Sequence, residues 1–251
     1  MKYILSTLLV ISILPLQAQN MSADSIIHRV NDLINQNSSQ AEVSMTISTS
    51  SGDKRTFEYN MYTKNQGEKT LIEYTAPRRI QGQKMLMLNH ADDIWLYFTR
   101  TRRVRKLASH ARKQNFRGSD FTHEDMGGSN AFIDDFDAEK LPDEEKRDMD
   151  CYKLRLTRKP GAGSGYAKLV MWVNKDNMMP VVIDYYDKDN PDRIAKTLKQ
   201  YDIKTIDDIP TPTRMVMINH NDDSKTVMQM HGIEYNIKLD NTLFTERGLK
   251  R

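Results

Sequence analysis

A single cysteine, Cys151, stands among 251 residues, so the chain can form neither an intramolecular disulfide framework nor a cysteine-built zinc site. Glycine and proline are scarce, at 11 and 8, which excludes collagen-like and low-complexity classes. Neither charge sign dominates. Thirty-seven Lys and Arg face 34 Asp and Glu, for a formal net charge of +3, and a generally cationic nucleic-acid binder does not have that balance. Beyond the N-terminal leader no apolar run approaches the ~20 residues of a membrane-spanning helix. No Gly-x-Ser-x-Gly elbow occurs, and no His with an orienting group is spaced to activate Cys151, so the chain is not expected to be an enzyme or to need a cofactor. What remains is 38% hydrophobic residues, enough for a real core held by packing.

Lys2 precedes an apolar run from Tyr3 to Leu14, Pro15 breaks it, and Leu16-Gln17-Ala18 presents a small residue. Residues 1–18 therefore read as a signal peptide cut after about Ala18. Residues 19–251 are expected to form one soluble domain, which in a bacterium with two membranes would work in the periplasm.

Ser22 to Gln36 predicts an amphipathic helix, with Ile26, Ile27, Val30, Leu33 and Ile34 at helical spacing behind Ser22 and Asp24. From Ala41 the period changes to two. Val43, Met45 and Ile47 alternate with polar residues, and Ser51-Gly52-Asp53 turns the chain into Thr56 to Thr63. The same pattern recurs at 70–75, 84–88 and 94–99, then at 151–157, 166–174, 180–186, 194–203, 213–219 and 225–233. Residues 107–141 interrupt it, with four scattered Phe, and read as short helices with a mobile loop. About eleven antiparallel strands, a leading helix and a helical interruption make a mostly β, α+β chain.

Local motifs have ordinary readings. His90 with Asp92 and Asp93, and His220 with Asp222 and Asp223, carry metal-ligand types, but Asn and Asp at such places cap tight turns, so no metal site is assigned. Met85 to Asp93 echoes Met215 to Asp223, as two strands ending in the same turn would. Gly161-Ala162-Gly163-Ser164-Gly165 lacks the Lys and Ser/Thr of a phosphate loop and reads as a hairpin tip. Arg100 to Arg117 carries many cations without an acid, and Asp134 to Asp150 answers with acids. These runs are either two solvated faces or, on the basic side, a docking surface for anionic head groups or a membrane partner.

Methionine is in excess, at 15, and recurs at period two in Met85/Met87, Met215/Met217 and Met228/Met230. Flexible thioethers either fill a core or remould around irregular ligands. In Met85 to Leu88 and Met215 to Ile218 both alternating faces are apolar, so each strand is covered on both sides or lines a cavity.

Taken with Asp92-Asp93-Ile94-Trp95-Leu96-Tyr97, Arg102-Arg103-Val104-Arg105-Lys106 and Gly118-Ser119-Asp120-Phe121-Thr122-His123-Glu124-Asp125-Met126, this order of elements resembles the LolA-like family of outer membrane lipoprotein-sorting proteins. The resemblance implies an incomplete, curved antiparallel barrel whose concave apolar face, closed by helices, holds acyl chains. It also implies a carrier or chaperone of acylated lipoprotein or lipid, acting as a monomer between an inner-membrane transporter and an outer-membrane acceptor, with no nucleic acid involved. The alternative it leaves is an envelope sensor that binds mislocalised lipoproteins and signals to a membrane partner. On that template the expected lining is Met45, Ile47, Met85, Met87, Trp95, Tyr97, Met171 and Met217. Phe116, Ser119, Asp120, Phe121 and Met126 are expected in a lid, and Arg102, Arg103 and Arg105 at a partner contact.

Overall fold

The computed structural model describes residues 21–127 and 130–250; the leader and its cleavage point lie outside them. Helix α1 is Ala23–Ile34. It starts where Ser22 stops the chain, the Ser22 hydroxyl accepting the Ser25 N–H at 3.1 Å, as N-cap chemistry requires. Its apolar stripe is buried through Ile26, Ile27 and Val30.

Thirteen strands follow: β1 Ser38–Ser48, β2 Lys54–Lys64, β3 Lys69–Ala76, β4 Lys84–Leu88, β5 Asp93–Phe98, β6 Arg103–Lys106, β7 Phe136–Glu145, β8 Asp150–Arg158, β9 Tyr166–Asn174, β10 Pro180–Asp187, β11 Ile194–Ile206, β12 Ile209–Asn219 and β13 Ser224–Tyr235. They form one antiparallel, curved, unclosed sheet in the order β6-β5-β4-β3-β2-β1-β13-β12-β11-β10-β9-β8-β7. Two meanders are thus joined back to back. The first runs outward from β1 to the edge at β6, the second returns from the opposite edge at β7 to β13, and β13 pairs with β1.

The count exceeds the expected eleven because both edges are charged. β6 is basic, and β7 lies inside the stretch read as an interruption. Phe136 to Glu145 is rich in acids and lacks alternation, since an edge strand needs no second apolar face. It tolerates Pro142 because the β7–β8 register breaks between Leu141 and Glu144.

The remaining interruption does hold short helices: 3₁₀ turns at Ser109–Lys113 and Phe116–Gly118, α2 His123–Gly127 and α3 Ala131–Asp134. This cover segment and α1 lie on the inner face, over the main core of Met45, Ile47, Tyr59, Ile72, Tyr74, Met85, Met87 and their neighbours. The outer face has two smaller clusters. The C-terminal turns bring Phe244 and Leu249 onto Leu71, Leu86, Trp95 and Tyr97, and Cys151 packs with Trp172, Val181 and Val182. Strand β4 is therefore covered on both sides, as its doubly apolar sequence demands. Asn89 to Asp92 and His220 to Asp223 are hairpin turns; Asn89 bonds Asp93 at 2.7 Å and Asn219 bonds Asp222 at 2.9 Å. The glycine-rich run joins β8 to β9 as a hairpin connection.

Candidate ligand cavity

Between the sheet and its cover lies a cavity of about 310 Å³, at the small end of ligand-binding pockets. Its floor is the inner face of the central strands, and its walls are the last turn of α1, α2 and α3. Register explains its chemistry. Met45 of β1 faces Met228 of β13, and Met228 faces Met215 of β12, while Met217 sits opposite Leu198 of β11, which pairs with Ile183 of β10. Methionines therefore adjoin one another across neighbouring strands. Seven line the cavity: Met61, Met126, Met179, Met215, Met217, Met228 and Met230. Half-buried liners, Met61, Thr63, Gly67, Met215, Ile233 and Tyr235, mark the opening.

Among the described lining residues only Glu124 and Asp125 are charged, and both are built into the cover's attachment. Glu124 accepts the Gly165 N–H at 3.1 Å. Burial pushes its carboxyl above the usual range, against the pull of Ser164, Gly165 and Arg112. Asp125 accepts the Tyr166 hydroxyl at 3.1 Å and the Thr122 N–H at 2.7 Å, with the Lys196 ammonium 4.0 Å away. Burial, then the charge of Asp125, holds the Tyr166 phenol protonated far above its ordinary range, so it acts as a donor.

The cover is fastened at three further points. Phe116 is fully buried and meets Tyr59 and His123 edge-to-face, with ring centroids 6.1 and 5.8 Å apart. His123 Nδ1 lies 3.0 Å from the carbonyls of both Ala111 and Gln114. Asp120 accepts the Thr226 hydroxyl at 2.7 Å and the Ser224 hydroxyl at 2.5 Å, while its own N–H donates to Thr226 Oγ1 at 3.0 Å. The Gly118 to Met126 block is therefore a strap bound to β13, to the β8–β9 hairpin and to β11.

Of the eight residues expected to line the cavity, Met217 does so. Met45, Ile47, Met85, Met87 and Met171 face the same side but are packed in the core beside it. Trp95 and Tyr97 face the other way: on β5 it is Ile94 and Leu96 that join the inner core, and the two aromatics pack under the C-terminal turns. Alternation identifies two faces and leaves undecided which is inner. Of the lid residues, Phe121 and Met126 line the cavity, whereas Phe116, Ser119 and Asp120 are buried in the strap behind it. Arg102, Arg103 and Arg105 are exposed on and beside the β6 edge. The methionine pairs at 215/217 and 228/230 were the available signal for the lining. Gln200 and Tyr185 were missed, since polar residues on an inner strand face break the apolar pattern, and the two carboxylates of α2 were missed because their partners Gly165, Tyr166 and Lys196 are distant in the chain.

A family model described as uncharacterized-protein-like matches residues 66–251. No curated protein matches. Among solved structures, the chain is similar to a DUF1329 family protein from Desulfovibrio piger, with 27% identity, 89% of this chain and 96% of the other covered, and a TM-score of 0.80. It is also similar in fold to an outer membrane lipoprotein-sorting protein domain from Vibrio parahaemolyticus, at 24% identity over 92% and 98% of the two chains with a TM-score of 0.80. A LolA superfamily protein from Nitrosomonas europaea gives 23% identity over 90% and 98%, with a TM-score of 0.74. The match over residues 66–251 places this chain in the family of that uncharacterized-protein-like model, and its architecture is the LolA-like fold.

Proposed function

We propose that the protein is a carrier that holds acyl chains of a lipoprotein or lipid non-covalently on their way toward the outer membrane. The observation that supports this most directly is the methionine-lined cavity between sheet and strap. Each methylene moved from water into such a site gains roughly 0.8 kcal/mol, so one long chain contributes about 10 kcal/mol of gross transfer energy. Thioethers supply contact without demanding one shape. A cavity this small admits a long chain only if its cover moves. Phe116, Ser119, Asp120, Phe121 and Met126, with the helices around them, are the cover in this reading. Met45, Ile47, Met85, Met87 and Met171 flank the site and repack as it widens; Trp95 and Tyr97 support it from the outer face.

In the same reading residues 1–18 direct the chain to the periplasm and are removed. Arg102, Arg103 and Arg105 contact a membrane or a transporter, and the protein works as a monomer without cofactor or catalysis. Mass spectrometry of organic extracts from protein purified from its own envelope tests the cargo. Co-purifying acylated species are expected. Absence of any such species, together with failure of added acyl chains to slow hydrogen exchange in residues 116–127, would end the carrier reading.

A further inference from the structure

One end of the first meander is crowded with cations that form no ion pair among the described residues. Antiparallel strands bring alternate chain ends together, so the start of β2 (Lys54, Arg55), the turn after β3 (Arg78, Arg79) and the β5–β6 turn (Arg100, Arg102), with Arg103 beside it, all fall at the same end. Contacts tie these segments to one another. Arg55 Nη2 lies 4.0 Å from the position a Cβ would take on Gly118, and Arg117, next in the chain, donates to Gln83 at 2.9 Å. A Cβ on Gly82, beside Gln83, would lie 3.1 Å from Thr99.

All seven of these side chains belong to exposed residues, and none joins the ion pairs found among the described residues. The acidic run does not neutralise them. Its acids sit on the opposite edge of the sheet and pair locally: Glu139 with Arg155, Glu144 with Lys153, Asp143 with Lys175. The only ion pair between the basic and acidic runs, among the described residues, is Arg112 with Asp135. The molecule is thus electrically polarised across the sheet despite a net charge of only +3.

We propose that this arginine-rich corner docks the protein on an anionic lipid surface, with the cavity opening turned away from the bilayer. Orientation follows from β2, which begins at the corner with Lys54 and reaches the opening at Thr63, one residue before its end. Two features favour a membrane over a protein partner. Guanidinium groups on separate loops match a field of lipid phosphates without a fixed geometry. A protein interface normally has an apolar centre, whereas among the described residues the exposed large apolar ones are Ile34 and Leu243, neither of them in the corner. The inference rests on the reading of Arg102 and Arg103 as contact residues and is independent of the cargo.

Sedimentation of the purified protein with vesicles tests it, comparing phosphatidylcholine alone with phosphatidylcholine containing phosphatidylglycerol. Binding is expected only to the anionic vesicles and is expected to fall steeply with added salt. The double variant Arg78→Glu/Arg102→Glu should lower the partition by about tenfold or more. Lys188→Glu/Lys204→Glu, an equal charge change at exposed positions elsewhere, should leave most of it. Equal losses in the two variants would overturn the corner in favour of net charge. No binding to anionic vesicles would also overturn it, leaving an acidic protein surface as the partner. Extraction of bound acyl species reads the carrier function separately, so the two can fail independently.

Discussion

Asp120 carries more of the strap's attachment than any neighbour. A buried carboxylate with two hydroxyl donors from β13 is stabilising only while those donors remain. Asp120→Ala strands Ser224 and Thr226 and is expected to cost about 3 kcal/mol, with the loss concentrated in hydrogen-exchange protection of residues 116–127; uniform destabilisation of the whole sheet would contradict a strap role. His123 adds a pH dependence. Burial, chiefly, holds its imidazole below the ordinary 6.5, so the folded strap prefers the neutral ring. That contribution is fully present above about 6.5 and fades as pH falls below it through the lowered folded value. Glu124, raised by burial, runs the other way, its contribution present below the ordinary 4.5 and lost as pH rises. Comparison of wild type with His123→Gln isolates the histidine. Exchange in residues 111–127, corrected for intrinsic rates, should quicken between about pH 7.5 and about pH 5.5 in the wild type. An identical change in the variant would remove His123 from the account. The motif containing these residues was legible from sequence as the most specific part of the family resemblance, but not its bonds, because Ser224, Thr226, Gly165 and Lys196 lie far away in the chain.

At the scale of elements, α1 and the hairpin of β1 and β2 are where periodicity places them, since α1 has one buried stripe and β1 and the first half of β2 alternate buried with exposed or half-buried residues. β7 is not: its outward edge is solvated and its charges pair with β8 instead of alternating with apolar residues. The C-terminal turns show a different dependence. The apolar pair Leu243-Phe244 marks the tail as a closing segment, and it is Phe244, with Leu249, that closes the outer face over Leu71 and Leu86, while Leu243 stays exposed. Phe244→Ala removes a nearly fully buried ring and is expected to destabilise by about 3 kcal/mol, read as a lower denaturant midpoint with an unchanged slope. A loss below about 0.5 kcal/mol would mean that the turns rest on the sheet without supporting it.

For the whole molecule, the proposed carrier role depends on empty volume rather than on any single contact. Met215 is half-buried at the opening. Met215→Trp should narrow that opening and weaken binding of an acyl probe by about tenfold or more, at a stability cost of about 1–3 kcal/mol. Unchanged binding with an intact fold would show that chains enter elsewhere. Composition, period-two alternation and turn residues by themselves determined that this is a mostly β meander with a leading helix, because backbone pairing and burial of one face are local demands. The inner face of each strand, the partners of the strap's carboxylates, the cavity and the gathering of arginines from three loops were decided only by tertiary structure. Each depends on the register and curvature of segments distant in the chain, which set what lies across from what.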